Sequence, residues 1–159
     1  MKIKCKKLDP NAILPTYATD GSGCFDLYAT AAQWDTGGNQ WGPVTPDVCK
    51  WPVLVKTGLA FEIPPGHTMF IFSRSGHGFK NATRLANCVG VIDADFKGEV
   101  CVKLTRDNYA DERTPLLNVR PGDRIAQAMI IPVPTVEFEE VDELSETARG
   151  AGGFGSTGA

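Results

Sequence analysis

Short runs rich in valine, isoleucine, leucine and phenylalanine recur along the chain, separated by clusters of proline, glycine, asparagine and aspartate. Apolar runs bounded by turn residues are typical of β-strands. The pattern predicts strands at residues 53–55, 59–63, 68–72, 89–92, 100–104, 124–131 and 136–141. Turn sequences lie between them at Pro64-Pro-Gly66, Lys97-Gly98 and Pro121-Gly-Asp123. The chain is therefore predicted to be an all-β protein.

Helical periodicity is weak throughout, and residues 78–85 are the one segment that we predict to form a short helix. The chain contains no internal repeat, and its 159 residues are the length of a single domain with its own core. We therefore expect one β domain over residues 1–148, followed by a glycine-rich tail over residues 149–159.

Segment 33–51 departs from the strand pattern. It carries all three tryptophans, Trp34, Trp41 and Trp51, among glycine, proline, asparagine and aspartate residues. We interpret it as a loop insertion whose rings pack on each other or on a neighbouring subunit. Because tryptophan is enriched at binding hot spots, the alternative that this loop binds a partner stays open.

Charge and composition narrow the range of partners. The chain has 16 lysines and arginines against 19 aspartates and glutamates, a net charge of −3, so nucleic acid is not an expected partner. We find no apolar run typical of a signal peptide or a membrane span, and expect no membrane partner. Five scattered cysteines without a C-x-x-C pair are typical of reduced thiols, which predicts a cytoplasmic protein, and two histidines cannot form a metal cluster by themselves.

The tail is composed of residues that favour contact with a nucleotide. Its glycines allow backbone N–H groups to approach a ligand closely, and Arg149 offers a planar guanidinium to phosphate. Ser156 and Thr157 add hydroxyl groups, and Phe154 offers a flat face for a base. The glycines match G-x-G-x-x-G, but no helix is predicted after them, which excludes a Rossmann site. We expect the tail to close over a nucleotide that carries a phosphate chain.

Two further segments carry candidate chemistry. Asp93-Ala-Asp-Phe96 follows an apolar strand and precedes a glycine turn, so it places carboxylates and a ring at a strand end. Aspartate is also common in turns for conformational reasons, so this pattern alone identifies no reaction. Upstream, Ser73-Arg-Ser-Gly76 offers a guanidinium and hydroxyls beside a flexible backbone, which is chemistry that binds phosphate oxygens.

Taken in order, five segments of the chain resemble the motifs of the trimeric dUTPase family. Any one of them is weak evidence, whereas five in the family's order, covering nearly the whole chain, are specific. They are Cys24-Phe-Asp-Leu-Tyr-Ala29, Ser73-Arg-Ser-Gly76, Gly90-Val-Ile-Asp-Ala-Asp-Phe-Lys-Gly98, Pro121-Gly-Asp-Arg-Ile-Ala-Gln127 and the tail from Arg149 to Gly158.

The resemblance implies a distorted jelly-roll β-barrel that forms a homotrimer, with each active site built from more than one subunit. It also implies that the mobile glycine-rich tail closes over the bound nucleotide. The implied reaction is the hydrolysis of dUTP to dUMP and pyrophosphate. The implied cofactor is Mg²⁺, because a triphosphate repels an anionic nucleophile unless a cation neutralises its charge.

Residue roles follow from the same resemblance. Asp93 is expected to activate the water that attacks the α-phosphorus, and Asp26 is expected to contact the metal through water. Phe96 is expected to pack beneath the deoxyribose, where a 2′-hydroxyl would have no room. The expected substrate contacts are Asn87, Gly90, Val91 and Ile92 for uracil, Arg74, Ser75, Gly76 and Gln127 for the phosphates, and Arg149, Phe154, Gly155, Ser156 and Thr157 in the tail.

The chain departs from the family pattern at Ser73, where proline is usual, at Cys24, where glycine is usual, and at Phe96, where tyrosine is commoner. None of these departures removes a reacting group. Two alternatives stay open. One is a dCTP deaminase of the same fold, which the ordered motifs disfavour, and the other is a nucleotide-dependent binding or regulatory protein that uses loop 33–51.

Overall fold

The computed structural model describes residues 1–37, 40–43, 52–107 and 118–153 of the chain. Over these residues the chain forms β-strands and one short helix, which confirms the all-β prediction. The strands are β1 (Lys4–Lys7), β2 (Thr16–Tyr17), β3 (Phe25–Tyr28), β4 (Ala31–Gly37), β5 (Gln40–Pro43), β6 (Val53–Lys56), β7 (Leu59–Glu62), β8 (His67–Phe72), β9 (Thr83–Leu85), β10 (Val89–Ile92), β11 (Cys101–Arg106) and β12 (Arg124–Pro132). Helix α1 (Ser75–Asn81) lies between β8 and β9.

Two five-stranded antiparallel sheets form most of the body. The first has the strand order β10-β8-β12-β3-β2, and the second has the order β5-β4-β6-β11-β9. Strands β1 and β7 pair in a third, two-stranded sheet. Apart from the pairs β2–β3 and β4–β5, neighbouring strands in each sheet are not consecutive in sequence, so the chain passes repeatedly from one sheet to the other, as it does in a jelly roll.

A single apolar core joins the sheets because their strands alternate buried and exposed side chains. In β6, Val53 and Val55 are buried, while Leu54 and Lys56 are partly exposed. The same alternation occurs in β11. The fully buried members of the core cluster include Leu27, Leu59, Met69, Leu104 and Ile125.

The helix prediction is wrong in its position. Helix α1 occupies Ser75–Asn81, and the end of the predicted segment 78–85 forms β9 instead. Ala82 ends the helix in the left-handed conformation, with a φ of 50°, and its N–H donates to the carbonyl of Gly78. Strand β9 then pairs with β11, so pairing in the sheet overrides the local helical preference.

The strand predicted at residues 136–141 is also wrong. These residues have no regular secondary structure and are exposed, and the Phe138 side chain is 92% exposed. A strand needs a neighbouring strand to accept and donate its backbone hydrogen bonds. Within the described residues no such neighbour pairs with this segment, so its apolar side chains remain in solvent.

Segment 33–51, predicted as a loop, instead contributes to strands. Trp34 pairs with Gly42 and Asp35 pairs with Trp41, which joins β4 and β5 in a hairpin. Because β4 also pairs with β6, the hairpin extends the second sheet, and β5 is its edge strand. Trp51 lies outside the described residues.

The cysteines and the helix content of the described residues are as follows. Cys5, Cys24, Cys88 and Cys101 are free thiols, and Cys49 lies outside the described residues. No helix in the described ranges has the length and apolar character needed to cross a membrane.

Candidate active site

The first cluster of candidate side chains lies on a row across the first sheet. Asp26 in β3 pairs with Gln127 in β12, and Gln127 pairs with Phe72 at the end of β8. Ser73 and Arg74 follow Phe72 directly, just before α1. The sheet register therefore brings residues from three distant motifs to one place.

The turn before β12 fixes this row. Gly122 has a φ of 88°, a conformation that favours glycine at this position of a tight turn. The Gly122 N–H donates to the carbonyl of Ala29 at 2.8 Å, and the Ala29 N–H donates to the carbonyl of Asp123 at 2.9 Å. These two bonds attach the start of β12 to the end of β3, which positions Arg124.

Asp26 holds two arginine side chains. Its residue is only 7% exposed, and its Oδ1 lies 3.2 Å from Nε of Arg74. Its Oδ2 accepts a hydrogen bond of 3.2 Å from Nη1 of Arg124. Charge-assisted bonds of this kind compensate the burial of the carboxylate. Two guanidiniums against one carboxylate leave a net positive charge here.

These side chains line a cavity of about 320 Å³, which we call the arginine cavity. The Arg74 Nη1 also donates to the carbonyl of Arg124 at 3.3 Å, and Gln127 Nε2 donates to the carbonyl of Ser73 at 3.2 Å. A concave, cationic surface with hydroxyl groups suits a polyanion. The cavity brings together the residues that the sequence predicted for phosphate and metal: Asp26, Arg74, Ser75, Gly76 and Gln127.

His77 extends this cluster on the side of α1. The Nη1 of Arg74 lies 3.5 Å from His77 Nε2, and because arginine has no acceptor, that nitrogen must accept. Burial, and then the neighbouring Arg74, lower the pKa of His77, while Asp123 acts in the opposite direction. The neutral imidazole therefore packs beside the arginine without adding charge.

A second cluster lies around β10, and it lines a cavity of about 340 Å³ that we call the hairpin cavity. Gly90 packs closely on β8, because a Cβ added there would lie 3.1 Å from Cβ of Ile71. Cys101 also lines this cavity, and burial together with the nearby Glu99 raises its pKa to about 11. The predicted uracil contacts all line the hairpin cavity: Asn87, Gly90, Val91 and Ile92.

Asp93 and Phe96 lie in the turn after β10. The N–H of Phe96 donates to the carbonyl of Asp93 at 3.2 Å, and Asp93 is exposed. A Cβ added at Gly98 would lie 2.8 Å from Cζ of Phe96, so the ring lies directly over the glycine. The Phe96 residue is 43% exposed, which leaves ring surface available to a ligand.

Asp93 and Asp26 lie far apart on the first sheet within one chain. Val89 pairs with Phe72, which lies on the Asp26 row, and Asp93 is four residues beyond Val89. Three strand spacings separate β10 from β3, so Asp93 and Asp26 are roughly 20 Å apart between backbones. Asp93 and Asp26 therefore do not contact each other within one chain.

Among the predicted tail contacts, the described part of the chain contains Arg149, which does not line either cavity. Nε of Arg149 donates to the carbonyl of Gly152 at 2.7 Å, which closes a local turn around Gly150, whose φ is 50°. Arg149 is exposed. The other predicted tail contacts lie outside the described residues: Phe154, Gly155, Ser156 and Thr157.

Sequence reasoning missed three residues that the structure places at these clusters. Arg124 lies within the fourth motif and directly precedes the buried Ile125. Its place in the motif was the available signal. His77 directly follows the second motif, and Gly98 ends the third. The contacts of His77 and Gly98 with Arg74 and Phe96 depend on tertiary packing, which no local pattern reveals.

Comparison with known proteins identifies the group of proteins that shares these features. A family model for dUTPase matches residues 10–158, a span that includes all five motifs. The chain belongs to the dUTPase family. The deoxyuridine 5'-triphosphate nucleotidohydrolase of Nautilia profundicola is 41% identical over 158 residues, which cover 99% of this chain and 99% of the relative. The motif resemblance is thereby confirmed.

Solved dUTPase structures share the fold. A mutant of the Staphylococcus bacteriophage 80alpha dUTPase with dUpNHpp has a TM-score of 0.78 at 23% identity, over 99% of each chain. A mutant dUTPase from phage phi11 of S. aureus, described with a structural Mg(II) ion, has a TM-score of 0.71 at 20% identity, over 92% of this chain and 100% of the phage chain. These similarities confirm the jelly-roll architecture.

Proposed function

We propose that this chain hydrolyses dUTP to dUMP and pyrophosphate, the activity named for its relatives in the dUTPase family. The observation that supports the proposed site most directly is the buried Asp26 carboxylate, which holds Arg74 and Arg124 at the arginine cavity. A triphosphate supplies the negative charge that this cavity lacks. Cytoplasmic location is part of the same proposal.

The arginine cavity is the phosphate half of the site. Arg74, with its Nε fixed by Asp26, presents its remaining N–H groups to phosphate oxygens. The hydroxyl of Ser75, the backbone at Gly76 and the amide of Gln127 add hydrogen-bonding groups around the same cavity. Because Asp26 holds the guanidinium in place before substrate arrives, little further ordering is needed on binding.

The hairpin cavity is the nucleoside half of the site. Asn87 and the backbone of Gly90, Val91 and Ile92 read the uracil edge, and the Phe96 ring supports the deoxyribose. A ring held against Gly98 leaves no space for a 2′-hydroxyl, so ribonucleotides are disfavoured.

Asp93 acts as the general base. It orients a water molecule whose oxygen forms a bond to the α-phosphorus, and the water's proton passes to the Asp93 carboxylate. The bond between the α-phosphorus and the oxygen that bridges to the β-phosphate breaks in line with the attack. Pyrophosphate leaves with that oxygen, and dUMP remains.

The site is completed by a second copy of the chain. Roughly 20 Å separates the Asp93 and Asp26 backbones in one chain, so we propose that Asp93 of one copy meets the phosphate half of another. The resemblance to trimeric dUTPases makes a closed ring of three copies the assembly that we propose. Each interface then carries one site.

The described donors fit Mg²⁺ through water only. Among the described residues there is no group of three or more histidine, cysteine, aspartate or glutamate side chains that could hold a metal. Both Asp26 oxygens already accept from guanidiniums, and the lone pairs that remain suit hydrogen bonds from metal-bound water. When bound to the triphosphate, Mg²⁺ neutralises charge on its oxygens.

The glycine-rich tail closes the site. Arg149, Ser156 and Thr157 contact the terminal phosphate, the Gly155 backbone approaches it, and Phe154 stacks on uracil. Opening the local turn at Arg149 breaks its bond to Gly152, and bonds to phosphate replace it. The closed tail excludes bulk water from the reacting phosphorus.

A nucleotide panel tests the proposal. Purified protein with Mg²⁺ should release pyrophosphate from dUTP far faster than from UTP, dTTP or dCTP. Asp93→Asn should lower kcat by about 10²- to 10⁴-fold while dUTP binding persists. Ammonia release from dCTP would support the deaminase alternative instead, and a parental rate for Asp93→Asn would remove the assignment of the base.

A further inference from the structure

The segment that carries Asn87 is a strained turn, which we call the base turn (residues 85–89). The N–H of Cys88 donates to the carbonyl of Leu85 at 3.2 Å, and the N–H of Val89 donates to the carbonyl of Asn87 at 2.7 Å. Cys88 has a φ of 62°, which is unfavourable for a side chain of this kind and marks a strained γ-turn. Strain of this kind persists only where neighbouring groups impose it.

Arg84 supplies contacts at both ends of the base turn. Its Nη1 donates to the carbonyl of Leu85 at 3.0 Å, the same carbonyl that receives the Cys88 N–H. The same Nη1 lies 3.8 Å from Sγ of Cys88. One guanidinium therefore bridges the first residue of the turn and the residue with the strained backbone.

Asp107 anchors Arg84 from just beyond the end of the neighbouring strand β11. Its Oδ1 lies 2.7 Å from Nε of Arg84, and the Asp107 side chain is 21% exposed. The Asp107 N–H donates to the carbonyl of Ala82 at 2.8 Å, so the carboxylate is itself fixed just before β9. Arg84 also pairs with Thr105 across the sheet, which holds its backbone. The ion pair between Arg84 and Asp107 thus connects the base turn to β9 and β11.

We infer that Arg84, held by Asp107, is a positioning residue that sets the shape of the base turn and thereby the selectivity of the enzyme for uracil. The inference rests on the proposed role of Asn87 at the uracil edge. Hydrogen-bond reading of a base requires donors and acceptors to be held within about 0.5 Å of the productive geometry, so misplaced groups lose discrimination. Arg84 acts through the position of Asn87, without touching the reacting phosphorus.

The experiment compares kcat and KM for dUTP and dCTP in Arg84→Met, Asp107→Asn and the double variant. The ratio of kcat/KM for dUTP over dCTP should fall about tenfold in each single variant, mainly through a higher KM for dUTP. The double variant should lose no more than either single variant, because the two side chains act as one unit. Arg84→Lys should lose selectivity too, because an ammonium lacks the planar fork.

Lys4→Met is the matched control, since it breaks an ion pair with Glu62 on the separate two-stranded sheet. It should leave the selectivity ratio unchanged. A lower melting temperature in Arg84→Met with an unchanged ratio would overturn the inference and leave a structural role only. Asn87→Ala tests the proposed role of Asn87 separately from the inference about Arg84. If Asn87→Ala also leaves the selectivity ratio unchanged in an active enzyme, the proposed role of Asn87 fails, and the inference fails with it.

Discussion

Asp93 and Arg74 lie beyond opposite ends of paired strands in one chain. Ile92, the residue before Asp93, pairs with Met69, and Phe72, two residues before Arg74, pairs with Val89. Strands β8 and β10 run antiparallel, so the chain leads the two residues away from each other. This separation is the reason why we propose a site that spans two copies.

Asp26→Asn should weaken both the fold and the activity. The substitution removes the negative charge that holds Arg74 and Arg124, and we expect the free energy of unfolding to fall by about 2 kcal/mol. The released guanidiniums should bind phosphate poorly, which lowers kcat/KM by about 10²-fold. Denaturant unfolding and dUTP kinetics measure the two effects.

Glu62→Gln is the control for Asp26→Asn, because Glu62 forms an exposed ion pair with Lys4. Exposed pairs contribute little, so this variant should resemble the parent in both measurements. A parental value of kcat/KM in a folded Asp26→Asn protein would contradict the role assigned to the arginine cavity.

Gly98→Ala should relax sugar selectivity. The added methyl group would lie 2.8 Å from Cζ of Phe96, so the ring must move away from its position over the glycine. A displaced ring leaves room for a 2′-hydroxyl, and the ratio of kcat/KM for dUTP over UTP should fall about tenfold. Gly21→Ala is the control, because no atom lies within 4 Å of the added carbon there. An unchanged ratio of kcat/KM for dUTP over UTP in Gly98→Ala would contradict the proposal that Phe96 excludes ribonucleotides.

His77 should make the fold sensitive to mild acid. Burial and Arg74 lower its pKa below the ordinary value of 6.5 in the folded chain. As the pH falls through 6.5, His77 is protonated in the unfolded chain before it is protonated in the folded chain. The folded state therefore loses stability until the pH passes the lower pKa that His77 has in the folded chain. Above pH 6.5 the histidine contributes no pH dependence.

Denaturant unfolding at about pH 7.5 and about pH 5 measures this effect. The parent should lose more stability over that interval than His77→Leu, while His67→Gln, at the start of β8, should follow the parent. If the parent and His77→Leu lose stability equally, the surroundings of His77 do not disfavour its protonated form, which contradicts this prediction.

The tail should be cut by protease only when the site is empty. Arg149 is exposed and bonded only within its own turn among the described contacts, so trypsin should cleave after it quickly in the free protein. Binding of dUpNHpp and Mg²⁺ should slow that cleavage about tenfold or more, because closure orders the segment. Cleavage after the exposed Lys2 serves as the internal control. Equal rates of cleavage after Arg149 with and without nucleotide would contradict the proposal that the tail closes over the bound nucleotide.

Much of the fold was predictable because β6, β7, β8, β10, β11 and β12 are apolar runs separated by turn residues. The first strands were missed, since β1 is mostly lysine and β2 has two residues. Helix α1 was displaced because Thr83–Leu85 found a strand partner in β11, which local propensity does not reveal. Residues 136–141 have strand-like residues but no described partner.

The site was predictable to the level of motifs and no further. Asp26, Arg74 and Gln127 lie together, because they lie on or just beyond three neighbouring strands of one sheet. The distance between Asp93 and that row depends on strand order, which the sequence pattern leaves open. The contacts of His77 and Arg84 depend on side-chain packing, so only the structure reveals them.

Complementation between two inactive variants tests the central claim most directly. Asp93→Asn removes the base and Arg74→Gln removes the phosphate ligand, and each protein alone should be nearly inactive; Gln127→Ala replaces the second variant if Arg74→Gln fails to fold. Refolding the two in equal amounts should restore about a quarter of parental activity, because a site that draws one residue from each copy is intact in that fraction of random assemblies. Activity that stays at the level of the separate variants, in assemblies shown to contain both chains, would contradict a site shared between copies.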